Sequence, residues 1–332
     1  MHIVDGVLSP EVCAVTAAAS LGAVGYSIHR LKDSLADRTI PMTGMMASLI
    51  FAGQMVNFPI GGPVSGHLLG GVLASVLLGP WAGCLALTTV LIVQHFFFAD
   101  GGLLSLGANV LHMGVVGSIG GYGVYLVIRR LLGNGSRGIV VGAVIASWVS
   151  VMAAAALFCV EFRLTYRAAD YDFTRIFALM VSFHSVIGVG EALITGSVIG
   201  FVLRHRSDLI YTSNSPAKWG QFSASVAAAG VACALAVAAF LAPFASDAPD
   251  GMNAALPESL QAGEPAESAS LFPLQDYRIP APFKGWERAA GWEKLSVSLA
   301  GILGCATVFV IALSLGHALK TCSPRREATH AE

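Results

Sequence analysis

Residues 139–160 read IVVGAVIASWVSVMAAAALFCV. The run holds no charged residue, and it exceeds the roughly 20 residues an α-helix needs to cross the hydrocarbon core of a bilayer. Water does not reach that core, so a spanning segment must pair its backbone groups internally, as a helix, or within a closed barrel. Barrel strands are short and alternate in polarity; this run is continuously apolar and predicts a helix. Similar runs recur on both sides of it. They predict nine spans, at 12–28, 41–56, 67–78, 81–98, 107–128, 139–160, 176–203, 222–244 and 295–317. The whole chain is 55% hydrophobic and 12% charged, with a mean hydropathy of +0.71, where a soluble domain carries about 25% charged residues. The expected fold class is therefore an all-α integral membrane protein. It comprises a seven-helix transmembrane bundle followed by a two-helix C-terminal module with a long extracytoplasmic loop.

Short loops rich in Lys and Arg stay on the cytoplasmic side. Arg30, Lys32 and Arg38 follow the first span, Arg129, Arg130 and Arg137 the fifth, Arg204, Arg206 and Lys218 the seventh, and Lys320, Arg325 and Arg326 the ninth. With nine spans and the N-terminus extracytoplasmic, all four clusters fall on one side and the C-terminus is cytoplasmic. The expected organisation is a seven-span unit over 1–205, a cytoplasmic linker over 206–221, a two-span module over 222–320 and a cytoplasmic tail over 321–332. The loop 245–294 is net acidic and without helical period, and its structure is left open. A net charge of −1 with no basic block argues against a nucleic-acid partner. The six cysteines are scattered without a C-x-x-C pair, which reads as small core hydrophobes.

The chain starts MHIVDGVLSP, with no basic stretch ahead of an apolar one, so a cleaved signal peptide is not expected and Met1 is expected to stay. A free Met1 amine, the His2 backbone nitrogen and the His2 Nδ1 can chelate one ion through a five- and a six-membered ring. Only a metal that favours planar nitrogen fields, Ni(II) or Cu(II), compensates for loss of the amide proton. Three donors leave one corner for another imidazole. Any chain starting Met-His carries these atoms, and an ordinary exposed terminus is the plain alternative. Asp5, Gly6 and Pro10 favour a turn-rich approach to the first span over a floppy tail.

The stretch NFPIGGPVSGH, residues 57–67, breaks the helical pattern with Asn57, Pro59, Gly61, Gly62, Pro63 and Gly66. Irregular backbone at membrane depth is tolerated only where protein or a cavity covers it, and broken helices often build transporter sites. His67 closes the break. It is either a functional imidazole or a core histidine bonded to a carbonyl. Gln94, His95, Asp100, Asn109, His112, His184 and Glu191 also lie at membrane depth or its edge. Asn109 and His112 share one helix face, and His184 and Glu191 another. Each of these residues either orients a ligand imidazole or makes an ordinary bond between helices. No G-x-x-x-x-G-K-[ST] phosphate loop and no G-x-S-x-G elbow occurs, so ATP hydrolysis would fall to another chain.

The four stretches MHIVDGVLSP (1–10), NFPIGGPVSGHLLGG (57–71), FADGGLLSLGANVL (98–111) and HSVIGVGEALIT (184–195) together resemble the CbiM/NikM family. Its members are the substrate-capture components of energy-coupling-factor transporters for cobalt and nickel. The resemblance covers 1–203. It implies a metal held by the Met1 amine, the His2 amide and imidazole, and the His67 imidazole. Asn57, Asp100, Asn109, His112, His184 and Glu191 are the candidates for supporting that set, although His112 stands where the family pattern suggests a small amide residue. The rest of the chain resembles the PDGLE-type accessory module, through Pro249-Asp250-Gly251 and Pro273-Leu274-Gln275-Asp276-Tyr277, with Met252-Asn253 departing from the usual Leu-Glu. That fusion favours nickel over cobalt. The resemblance implies a non-enzymatic subunit of the prokaryotic plasma membrane, with no cofactor. Its partners would be a membrane coupling protein and two ATP-binding cassette subunits. The alternatives are a secondary divalent-metal carrier acting alone and, from other classes, a membrane enzyme built on His and Glu or a membrane sensor.

Overall fold

A computed structural model describes residues 2–32, 38–167, 169–211, 224–261, 273–283, 289 and 291–321. Seven of its helices are long and apolar enough to cross a membrane: α1 (Pro10–Lys32), α4 (Pro80–Phe98), α5 (Leu106–Leu132), α6 (Ser136–Thr165), α7 (Phe173–His205), α8 (Ala224–Phe244) and α10 (Trp292–Thr321). One further segment corrects the expectation of nine full spans. Helix α2 (Thr39–Met55) has 17 residues, the lower end of a spanning length, whereas α3 (Gly71–Leu78) has only 8. At 1.5 Å per residue, α3 is far too short to cross alone. Its predicted first residue, His67, precedes the helix, and 67–70 is irregular. The short helix α9 (Gly251–Ala255) lies in the loop left open above.

The break after α2 is not structureless. Strands β1 (Phe58–Gly61) and β2 (Val64–Gly66) form an antiparallel hairpin, the one sheet among the described residues. Gly61 and Gly62 turn it with φ of 123° and 59°, values that favour glycine. Hairpin bonds give the exposed backbone of a broken helix its partners, as apolar surroundings require.

Helix α2 carries the chain to the hairpin end of the bundle, and α3 carries it back. Close backbone approach lets α3 fit between its neighbours: a Cβ on Gly71 would strike the Gly117 backbone of α5. At the opposite end, Tyr211 N–H donates to the Val76 carbonyl and Arg38 donates to that of Asp208. There too the Arg30 guanidinium lies over Trp81.

The C-terminal helices pack against the bundle, α10 more closely than α8. Ser48 of α2 donates to the Cys305 carbonyl of α10 at 2.9 Å, and a Cβ on Gly304 would run into the Phe51 ring. Cys13, Cys84, Cys159 and Cys305 are buried and unpaired, while Cys233 is exposed. Cys322 lies outside the described residues.

Candidate metal centre

The segment before α1 folds back into the bundle. Ile3 donates its N–H to Asn109 Oδ1 at 2.8 Å and accepts from Asn109 Nδ2 at 3.0 Å. The Ile3 carbonyl also accepts from Gly102 N–H at 2.8 Å. Asp5 then accepts from the backbone of Leu103 at 2.9 Å and of Ser105 at 3.1 Å. The loop that receives the segment is shaped by its glycines: a Cβ on Gly102 would collide with Asp5. These bonds bury the side chains of His2 and Ile3. Met1 lies outside the described residues.

His67 reaches the same place from the hairpin. Its ring stacks on that of His2 with centroids 5.1 Å apart and planes 28° apart. His67 Nδ1 lies 3.0 Å from the Leu68 carbonyl. A carbonyl only accepts, so Nδ1 carries the proton and Nε2 keeps its lone pair. Two residues on, Glu191 of α7 accepts from the N–H groups of Leu69 and Gly70 at 2.6 and 2.8 Å. It thereby fixes the backbone between His67 and α3.

A chain of amides sets the tautomer of His2. Gln54 Nε2 donates to the Leu69 carbonyl at 3.0 Å, which turns Gln54 Oε1 toward Gln94. Gln94 Nε2 donates to that oxygen at 2.9 Å. Gln94 Oε1 is then an acceptor, and His2 Nε2, 3.1 Å away, must donate to it. That leaves the lone pair on Nδ1, the nitrogen a terminal chelate requires. Burial pushes the His2 imidazole below its ordinary pKa of 6.5, against the pull of Asp100. His2 is thus held neutral and able to bind a metal.

A cavity of about 220 Å³ opens beside the two imidazoles, lined also by Gln54, Asn57, Asp100, Asp250, Asn253 and Tyr277. Asp100 Oδ1 stands 3.4 Å from His2 Nδ1. Because α4 ends at Ala99 with a left-handed residue, φ 57°, the chain turns back and brings Asp100 over the helix end. Tyr277 donates its hydroxyl to Asp100 Oδ2 at 2.5 Å and stacks on Phe98 with centroids 4.6 Å apart. Asn57 Oδ1 is buried without a hydrogen-bond partner. Among the described residues no three His, Cys, Asp or Glu side chains converge as a metal cluster.

The structure brings His2, His67, Asn57 and Asp100 to this cavity, and Asn109 to the segment that carries His2. His112, His184 and Glu191 do not line it. His112 Nε2 lies 2.9 Å from Glu161 Oε2 in a buried pair between α5 and α6. His184 Nδ1 pairs with the Met180 carbonyl one turn back, at 2.9 Å. Sequence reasoning missed Gln54, which stands inside an apolar run, and Glu161, which reads as the polar flank of a span. It had Asp250 and Tyr277 only as parts of motifs. Their place in the cavity is set by contacts across the chain and leaves no local signal.

Known proteins resemble the chain over most of its length. A family model described as the cobalt uptake substrate-specific transmembrane region, CbiM, matches residues 2–209, and one for the PDGLE domain matches 224–321. A relative from Archaeoglobus fulgidus, provisionally assigned as a fused nickel transport protein NikMN, is 34% identical over 96% of this chain and 98% of its own length. The fused nickel transport protein NikMN of Rhodobacter capsulatus is 35% identical over 65% of this chain and 66% of its own. A crystal structure of a transition metal transporter superposes with a TM-score of 0.54 at 30% identity, covering 63% of this chain and 94% of that one.

Proposed function

Because the chain belongs to the CbiM family of multi-pass nickel and cobalt transport proteins, we propose that it captures Ni(II), or second Co(II), in a planar four-nitrogen site ahead of ATP-driven uptake. The donors in this reading are the Met1 amine, the His2 amide nitrogen, His2 Nδ1 and His67 Nε2. The ion is the cargo, and the chain itself carries no catalytic residue. Nickel is favoured because the relatives that share the fused arrangement carry nickel in their names.

The observation that carries the reading is the meeting of two imidazoles, His2 and His67, at one cavity, with their rings 5.1 Å apart. The amide chain ending on His2 and the carbonyl beside His67 leave one lone pair on each ring. Planar nitrogen coordination suits Ni(II), and outer partners of the kind found here orient ligand imidazoles. In this proposal residues 1–205 form the capture unit, 206–221 a linker, 222–320 the accessory module and 321–332 a tail. The N-terminus and cavity face outward, the basic helix ends face the cytoplasm, and the membrane is the prokaryotic plasma membrane. Transport needs a membrane coupling protein and two ATP-binding subunits.

The test is metal content of the full chain purified through a C-terminal tag, compared with His2→Ala, His67→Ala and a form extended before Met1. About one nickel per chain is expected in the parent and loss of nickel in all three variants. Full metal in the extended form removes the amine from the ligand set. Full metal in His67→Ala overturns the site.

A further inference from the structure

The C-terminal part of the chain contributes a carboxylate to the cavity. The segment before α9 is hydrogen-bonded to the hairpin. Ser246 N–H donates to the Asn57 carbonyl at 2.8 Å, Ser65 N–H to that of Pro249 at 2.9 Å, and Ser65 Oγ to that of Ala248 at 2.6 Å. A parallel bridge joins Ser65 and Asp250. The chain is thus fixed against the strand that leads directly into His67.

Asp250 then caps α9, with Oδ1 accepting from Asn253 N–H at 2.7 Å. This bond orients the carboxylate and brings Oδ2 to 4.0 Å from His67 Nε2, the nitrogen that keeps its lone pair. The next residue allows no slack. Gly251 is buried against α7, where an added Cβ would come within 2.9 Å of Ile187 and 3.6 Å of His184. Hydrogen bonds to the hairpin, the cap and this close packing therefore all hold Asp250 in one place.

We infer that Asp250 is a further residue of the metal site, a fixed carboxylate that balances the charge of the bound ion on the His67 side. The inference rests on the proposed metal site and extends it to the C-terminal module. A dication held by neutral imidazoles, an amine and one deprotonated amide remains cationic. Keeping that charge buried without a counter-charge is costly, and charge at membrane depth more so. Asp100 faces the His2 side of the cavity, and Asp250 faces the His67 side. Each imidazole has its own carboxylate, and the C-terminal module provides one of them directly and holds the other through Tyr277.

The test uses the full chain in lipid nanodiscs with Ni(II) alone as the probe. Affinity is measured by equilibrium dialysis for the parent, Asp250→Asn, Asp250→Glu and His67→Ala, with thermal unfolding of each metal-free protein. Asparagine caps a helix as well as aspartate does, so Asp250→Asn removes charge and keeps α9. The expected result is a loss of about 10- to 100-fold in Ni(II) affinity, an unchanged metal-free unfolding temperature, and partial recovery with Asp250→Glu. Parent-like affinity in Asp250→Asn, with binding lost in His67→Ala, overturns this inference alone. So does an equal loss in both Asp250 variants with a lowered unfolding temperature, which marks a purely structural role. Parent-like binding in His67→Ala overturns the metal site itself and this inference with it.

Discussion

Asn109 treats Ile3 as a neighbouring strand would, giving a hydrogen bond to its carbonyl and taking one from its N–H at 3.0 and 2.8 Å. This pair joins the Gly102 and Asp5 bonds in docking the chain start, and it is the one made by a side chain of α5 to Ile3. A hydrogen bond contributes about 1 kcal/mol net, and more when its buried partner is left unpaired. Asn109→Leu removes two such bonds and strands the Ile3 N–H, while the Ile3 carbonyl keeps its bond from Gly102. It is expected to free the first residues and weaken Ni(II) binding by about 30-fold or more. Equilibrium dialysis reads the affinity, and an Asn109→Leu protein that binds like the parent removes Asn109 from this role.

Acid should undock the same segment. The docked His2 has its pKa below 6.5 because burial disfavours the charged imidazole. The undocked segment takes up a proton near 6.5, whereas the docked one does so only at lower pH. Docking is therefore at full strength above 6.5 and weakens as pH falls through 6.5 toward the lowered value. The N-terminal peptide of the metal-free chain is expected to be protected from hydrogen–deuterium exchange at about pH 7.5 and unprotected at about pH 5, each relative to the intrinsic rate at that pH. Equal protection at both values, or greater protection in acid, contradicts the prediction.

Glu191 supports His67 through backbone alone, accepting from Leu69 and Gly70. Removing a partner from a buried N–H costs about 1–3 kcal/mol. Glu191→Leu is expected to lose several kcal/mol and to shift His67, while Glu191→Gln keeps one acceptor oxygen and loses about half as much. Thermal unfolding of the full chain in detergent checks this. A Glu191→Leu protein that melts with the parent would leave the two N–H groups with another partner.

Helices α1 and α4 to α7 were legible because long apolar runs have one outcome in a bilayer. The stretch 57–67 was legible as a break but not as a hairpin. Its prolines and glycines reveal where a helix stops, and only the register of β1 on β2, with the backbone bonds from 246–250, decides what replaces it. His2 and His67 were found from chelate chemistry and from the cost of an imidazole at membrane depth. His112 and Glu191 followed the same cost argument, yet each is matched locally, by Glu161 and by the backbone of α3. Polarity at depth marks a group that needs a partner and is silent about which partner it finds. Asp250 and Tyr277 lie in a loop where charged and aromatic residues are unremarkable, so only the folded contacts reveal them.

The bonding of 246–250 to the hairpin has a consequence for how such chains are cut and recombined. The two matched regions meet in sequence between 209 and 224, but no seam in space follows that joint, because Asp250 and Tyr277 complete a wall begun by Asn57 and Asp100. Truncation at the joint would leave a chamber with one side missing. Swapping the trailing portion between relatives would exchange part of the cavity wall along with its helices.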